Sequence, residues 1–144
     1  LEGIHDRILN EAFGSIVMIP NKPSIEEYET AIGLAYDKNP VITLHGYLRV
    51  IPKEICSQYE MYNGHPGAIG LFPELRGMDP QLRALDKTKY PKIGSVIHRV
   101  TADVDCGEII MHKEIDNIYD KDTIIPALKD VSKSLWANFL IQIL

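Results

Sequence analysis

Several features that mark specialised classes of protein are absent from this sequence. Its two cysteines, Cys56 and Cys106, form no CxxC pair and have no histidines at metal-ligand spacing. No apolar run approaches the roughly 20 residues that a transmembrane helix needs. The 15 Lys and Arg residues form no basic cluster, and 20 Asp and Glu residues give a net charge of −5. We therefore expect reduced thiols, no metal, no membrane span and no nucleic-acid partner, in a cytoplasmic protein.

The composition is that of an ordinary globular domain. Of the 144 residues, 45% are hydrophobic and 24% are charged, and neither a repeat nor a low-complexity tract is visible. A chain of this length can bury a core of its own, so we expect one domain over residues 1–144. The polar, helical opening after Leu1 is unlike a signal peptide.

Helical patterns alternate with short apolar stretches in the first part of the chain. Ser24 and Glu27 have the spacing of a capping box, in which each side chain bonds to the backbone of the other residue. The alternation is typical of a parallel sheet with crossover helices, and a strand is expected to precede the first helix. The predicted elements are a helix over Leu1–Ala12, a strand over Ser15–Ile19, a helix from Ser24 to about Asp37 and a strand over Val41–Leu44.

Beyond residue 91 the pattern changes to two β-rich stretches joined by a tight acidic turn, which indicates an antiparallel pair. The sequence therefore predicts an α/β fold, a doubly wound, mostly parallel Rossmann-type sheet with an antiparallel tail and its first strand missing. The later elements are a helix over Pro52–Gln58, strands over Glu60–Asn63, Ile93–Thr101 and Glu108–Ile115, a loop over Gly64–Gly77, and helices over Gly77–Leu85 and Asp122–Ile143. The last helix is predicted to have one apolar face, made up of Ile125, Leu128, Val131, Leu135, Phe139 and Ile143.

The segment Asn63-Gly64-His65-Pro66-Gly67 lies where an apolar strand gives way to a loop. Ligands bind at the carboxyl ends of strands in α/β sheets. An Asn amide can donate to a developing oxyanion, and a histidine can accept and return a proton near neutral pH. On this segment alone, a capping asparagine and a surface histidine are the favoured interpretation.

A second candidate segment contains His98, within a strand, and Asp105, on the turn that follows it. A carboxylate beside an imidazole stabilises the charged ring and orients it. The alternative is an aspartate that hydrogen-bonds its own turn, which is common before glycine.

The order of these segments resembles the folate-dependent formyltransferase family. The resemblance is carried by Asn63-x-His65-Pro66 and, further on, by His98-x-Val100-Thr101 with Asp105-x-Gly107-x-Ile109. Leu44–Ile51 and the Arg76-Gly77 pair are similar to further parts of the family pattern. The match covers about Val41–Ile115. His45 and Cys106 depart from the pattern, because small residues are expected there.

The resemblance implies formyl transfer from 10-formyltetrahydrofolate to an amine, as in one-carbon metabolism. Asn63, His65 and Asp105 take the catalytic positions, and His98 is expected to support Asp105. The residues implied to line the folate pocket are Leu48, Arg49 and Val50 on one wall and Ala102, Asp103 and Val104 on the other. For one of Leu48 and Val50, an ordinary core position is the expected alternative.

The acceptor is less constrained than the donor. A phosphate loop is expected ahead of Leu1, and glycinamide ribonucleotide, a purine-biosynthesis substrate, is favoured. An amino-sugar N-formyltransferase, a formyltetrahydrofolate hydrolase and a folate-binding module without turnover are the alternatives.

Overall fold

The computed structural model describes residues 18–34 and 40–143. The chain divides into two compact units, Leu1–Lys38 and Asn39–Leu144. The helix predicted over Leu1–Ala12 and most of the strand predicted over Ser15–Ile19 lie outside the described residues. The single domain over residues 1–144 stays a prediction.

The described part of the first unit is built around helix α1 (Ile25–Gly33). The predicted capping box is confirmed: Ser24 Oγ accepts from the Glu27 amide at 3.2 Å, and the Ser24 amide donates to Glu27 Oε2 at 2.7 Å. Two otherwise unpaired backbone donors are thereby satisfied where the helix begins. The predicted end of this helix, near Asp37, lies outside the described residues.

The second unit contains a four-stranded sheet in the order β1-β2-β3-β4. β1 pairs with β2 in parallel, whereas β2 with β3 and β3 with β4 pair antiparallel. Strand β1 has the predicted bounds, and the antiparallel pair after residue 91 is confirmed. The elements are β1 (Val41–Leu44), α2 (Lys53–Gln58), β2 (Glu60–His65), a 3-10 turn (Pro73–Leu75), α3 (Pro80–Arg83), β3 (Lys92–Arg99), β4 (Ile109–Asp116) and α4 (Ile124–Ile143).

The prediction of a mostly parallel sheet is wrong for the described residues. Only the β1–β2 pair is parallel, so the sheet there is mixed. The cause is the connection over residues 66–91, which has a 3-10 turn and a four-residue helix in place of a crossover helix. The chain therefore enters β3 running opposite to β2.

The helix predicted over Gly77–Leu85 is reduced to α3, Pro80–Arg83. Gly77 (φ +81°) and Asp79 (φ +49°) adopt the left-handed region, so helical backbone begins only at Pro80. At the other end, Asp86 Oδ1 accepts from the amides of Thr88 and Lys89, and this local turn ends the helix.

Helix α4 packs along the sheet, as its apolar face predicts. Leu135 and Phe139 form a buried cluster with Tyr62 of β2 and Ile97 of β3. Ile125 and Ile143, predicted on the same face, are instead exposed (37% and 41%), whereas Ile124 is fully buried. Within the described parts of the chain, none of the helices combines the length and apolar character that crossing a membrane requires.

Candidate active site

Strands β2 and β3 bring Asn63, His65 and His98 to one face of the sheet. Asn63 lies opposite His98 in the antiparallel register. Directly opposed residues point to the same face, and so do residues two apart along a strand. His65 therefore shares this face with Asn63. His65 and His98 are buried, with 5% and 3% of their surface exposed, so the surface-histidine alternative is wrong for His65.

Asp105 meets both histidines from the β3–β4 connection. Its Oδ2 lies 3.2 Å from His65 Nδ1, and its Oδ1 lies 3.3 Å from His98 Nε2. The amide of Gly77 donates to Oδ2 at 2.9 Å. Asp105 itself has φ +52°, a left-handed conformation that Asp tolerates better than most side chains. The carboxylate is thus held by distant segments, which argues against the alternative of an aspartate that only hydrogen-bonds its own turn.

Gly107 allows the Asp105 turn to pass close to the end of β3. A Cβ at Gly107 would lie 1.7 Å from the carbonyl oxygen of Arg99, far inside contact distance. The turn also closes through a hydrogen bond from the Arg99 amide to the Glu108 carbonyl, at 2.9 Å. The glycine is therefore required by the close approach of two backbone segments.

Asp105 is a strongly stabilised anion. Burial acts to raise its pKa, but contacts with His65, His98 and the Gly77 amide outweigh it and hold the pKa far below the usual range for Asp. His98 Nε2 is buried and lies 3.3 Å from Asp105 Oδ1, just beyond the usual range of N–H···O distances. His98 Nδ1 lies 3.0 Å from the Arg99 carbonyl, which orients the ring.

Both ring nitrogens of His65 face hydrogen-bond acceptors. Nδ1 faces the Asp105 carboxylate, and Nε2 lies 2.9 Å from the carbonyl oxygen of Leu75. A neutral imidazole has one donor nitrogen, whereas an imidazolium has two. A ring protonated at both nitrogens can donate to both acceptors at once, and a neutral ring to one of them.

The residues predicted to line a folate pocket lie on exposed segments. Leu48 is 92% exposed, Val50 60% and Val104 53%. Arg49, Ala102 and Asp103 are exposed as well. The core position expected for one of Leu48 and Val50 is therefore wrong. Because β1 and β2 are parallel, Leu48–Val50 follow β1 at the sheet edge where β2 ends at His65.

Sequence reasoning misses the contacts that the 66–91 connection makes with these side chains. The Leu75 carbonyl and the Gly77 amide are main-chain groups, so the residue types in the sequence do not indicate these contacts. The Arg76 side chain donates from Nε to the Asp105 carbonyl oxygen at 3.1 Å. The Arg76-Gly77 pair is visible in the sequence, but its contact with Asp105 spans a separation that no local pattern reveals.

No group of His, Cys, Asp and Glu side chains within residues 18–34 and 40–143 is arranged to hold a metal ion. The expectation that the chemistry needs no metal stays a prediction. Cys56 and Cys106 are both free thiols.

The family described as "Formyl transferase" matches this chain over residues 13–139, which is most of its length. The match includes all of the side chains that meet at Asp105.

Relatives and solved structures agree with that match. A phosphoribosylglycinamide formyltransferase of Dictyostelium discoideum is 27% identical over 96 residues, 62% of this chain and 46% of that protein. A methionyl-tRNA formyltransferase of Thermotoga neapolitana is 28% identical over 124 residues, 83% of this chain and 38% of that protein. The structure of a Streptococcus pneumoniae phosphoribosylglycinamide formyltransferase has a TM-score of 0.76 at 20% identity, over 97% of this chain and 79% of that one. This chain thus spans less than half the length of the two sequence relatives.

Proposed function

Because the chain belongs to the folate-dependent formyl transferase family, we propose that it transfers a formyl group from 10-formyltetrahydrofolate to a primary amine. The observation that carries the proposal is the convergence of His65 and His98 on the Asp105 carboxylate, on the sheet face that also presents Asn63. Among the acceptors, we favour a small phosphorylated amine such as glycinamide ribonucleotide, a substrate of purine biosynthesis.

The reaction needs a stabilised oxyanion. The amine nitrogen attacks the formyl carbon, a new C–N bond forms, and the carbonyl electron pair moves onto oxygen. The tetrahedral intermediate collapses by re-forming the C=O bond and breaking the bond to N10 of the folate. In this proposal the Asn63 amide donates to the oxyanion, and such a donor is typically worth about 10²- to 10³-fold in rate.

His65 manages the proton in this proposal. The attacking amine must lose a proton, and N10 must gain one as it leaves. His65 stabilises the oxyanion as the imidazolium that Asp105 holds, and exchanges the proton as the intermediate forms and collapses. Because Nε2 is bonded to the Leu75 carbonyl, the ring must share or release that carbonyl when substrate is present. His98 orients the carboxylate and does not touch the substrate.

The pterin of the folate is proposed to bind between Leu48–Val50 and Ala102–Val104. Support comes from the exposed apolar side chains of Leu48, Val50 and Val104, since a planar ring can cover such surface. Main-chain donors and acceptors in both segments would recognise the ring edge. Arg49 and Asp103 are assigned to the same two walls.

The acceptor preference rests on charge. The Dictyostelium relative is named for a small phosphorylated acceptor and the Thermotoga relative for a tRNA. Binding of tRNA needs several cations set against phosphates, and the net charge of −5 opposes this. Amino sugars stay an alternative, because the donor chemistry is the same.

The test is to incubate the protein with 10-formyltetrahydrofolate alone and with each candidate amine: glycinamide ribonucleotide, amino sugars and methionyl-tRNA. Release of tetrahydrofolate only when an amine is present supports the transferase. Release in water alone, at the same rate with and without amine, contradicts it and identifies a hydrolase. Binding of folate without turnover contradicts it in favour of a binding module.

A further inference from the structure

Arg83, the last residue of α3, binds a row of backbone carbonyls beside the candidate site. Its Nη1 donates to the carbonyl of Glu74 at 2.6 Å, and its Nη2 donates to those of Leu75 at 3.0 Å and Arg76 at 2.6 Å. One planar guanidinium thus bonds to three consecutive main-chain carbonyls. A lysine ammonium, which lacks the planar fork, cannot reproduce this set.

The same three-residue segment makes contacts to the catalytic candidates. The Leu75 carbonyl accepts from Arg83 and lies 2.9 Å from His65 Nε2, and a carbonyl oxygen has two lone pairs for such a pair of donors. The Arg76 side chain reaches the Asp105 carbonyl, and the next residue, Gly77, donates its amide to the Asp105 carboxylate. Whatever fixes residues 74–76 therefore fixes the Leu75 contact of the His65 ring directly, and acts on its Asp105 contact through the Arg76 side chain and the adjoining Gly77 amide.

We infer that Arg83 is a positioning residue for formyl transfer, acting on His65 and Asp105 through the backbone of residues 74–77. The inference rests on the proposed function. Arg83 holds the Leu75 carbonyl in place while His65 is bonded to it, and it keeps that carbonyl satisfied when the ring turns to the substrate. Its contacts within the described residues are to main-chain oxygens, so its contribution is to geometry rather than to binding of the donor.

The test compares Arg83→Met and Arg83→Lys with the wild-type protein in kinetics and in NMR spectra of the histidine rings, with His65 assigned by H65N. We expect Arg83→Met to lower kcat by about 10²-fold, the loss that a misplacement of about 1 Å can cause, with the KM for folate little changed. Arg83→Lys should recover part of the loss. The ring signal of His65 should shift in Arg83→Met, because the Leu75 carbonyl is no longer held.

Lys87→Met is the matched control, since it removes an exposed cation four residues further along the chain. It should leave kcat and the His65 signal unchanged. The inference is overturned if Arg83→Met keeps the wild-type kcat and His65 signal, or if it raises the KM for folate without lowering kcat. A wild-type protein inactive with every amine would count against the proposed function, whereas the His65 spectra would still decide whether Arg83 positions the ring.

Discussion

Asp105 combines three properties that are rarely found together in one side chain. It has a left-handed backbone, it is mostly buried, and its carboxylate has contacts from His65, His98 and the Gly77 amide. Burial alone would favour the neutral acid, so its charge depends on these neighbours. The orientation of His65 depends in turn on that charge. At the scale of single residues, Asp105 is the group on which the others depend.

Replacing Asp105 by Asn tests this dependence directly. The amide has nearly the same shape but no charge, so it cannot stabilise an imidazolium at His65. We expect Asp105→Asn to keep folate binding and to lower kcat by about 10²- to 10⁴-fold. Steady-state kinetics and folate titration measure the two quantities. Asp122→Asn, which removes an exposed carboxylate ahead of α4, is the control. Unchanged turnover in Asp105→Asn would remove Asp105 from the mechanism.

The lowered pKa of Asp105 also predicts a pH dependence of stability. A carboxyl group whose pKa is lower in the folded than in the unfolded protein stabilises the fold above its unfolded pKa, about 3.9 for Asp. This contribution is lost as the pH falls from there toward the folded pKa. The free energy of unfolding of the wild-type protein should therefore exceed that of Asp105→Asn at neutral pH, and the difference should shrink below about pH 4. Urea titrations from pH 7 to pH 3 measure it, and a constant difference would contradict the prediction.

At the scale of secondary-structure elements, the position of β2, which contains Asn63 and His65, depends on the helix packed against its other face. Gly64 lies between Asn63 and His65, and a Cβ there would be 2.6 Å from Nε1 of Trp136 in α4. The indole of Trp136 also contacts the ring of His45, with 4.4 Å between ring centroids and an angle of 51° between the ring planes. Helix α4 thus packs directly against the backbone of β2, on the face opposite to Asn63 and His65. The histidine at position 45, which departs from the family pattern, is explained by this contact.

Gly64→Ala should therefore disturb both stability and activity. We expect the free energy of unfolding to fall by about 1–3 kcal/mol, as for other overpacked positions, and kcat to fall as Asn63 and His65 move. The second substitution Trp136→Leu should recover part of both losses, because the clash is with a side chain. A double-mutant cycle by urea unfolding measures the coupling.

Gly33→Ala in α1 serves as the control for this cycle, since a methyl group added at Gly33 would have, among the described residues, no heavy atom within 4 Å other than those of its chain neighbours and its own helix backbone. It should not lower stability. If the effects of the Gly64 and Trp136 substitutions on the free energy of unfolding are additive, the two positions are not in steric contact, and the prediction is contradicted.

At the scale of the whole molecule, α4 covers one face of the sheet in the second unit with buried apolar side chains. Phe139 is 2% exposed and contacts the ring of Tyr62 edge-on, whereas Ile141, two residues on, is 76% exposed. We expect Phe139→Ala to lower the free energy of unfolding by about 3–5 kcal/mol and Ile141→Ala to change it by less than about 0.5 kcal/mol. Urea unfolding of both variants measures this. Equal effects would show that α4 does not cover the sheet through this face.

Local signals in the sequence are sufficient for some elements and insufficient for others. The capping box at Ser24 and the strand Val41–Leu44 depend on neighbouring residues, and both predictions are confirmed. The direction of β3 relative to β2 depends on strand pairing between residues far apart along the chain. The helix predicted from Gly77 begins later than expected, because left-handed backbone there is not visible in the apolar pattern. The Asn63, His65 and Asp105 side chains are proposed from motifs, whereas their main-chain partners carry no motif.

The three partners of the Asp105 carboxylate come from β2, from the 66–91 connection and from β3. The contacts of His65 and Gly77 with Asp105 join segments far apart along the chain, so they form only once long loops have closed, and such non-local steps are the slow ones in folding. A short peptide that includes Asn63 and His65 would therefore lack the Asp105 carboxylate that faces the ring. In the proposed mechanism, turnover needs all of these contacts, so during refolding it should return with the slowest structural probe rather than with the early formation of helix.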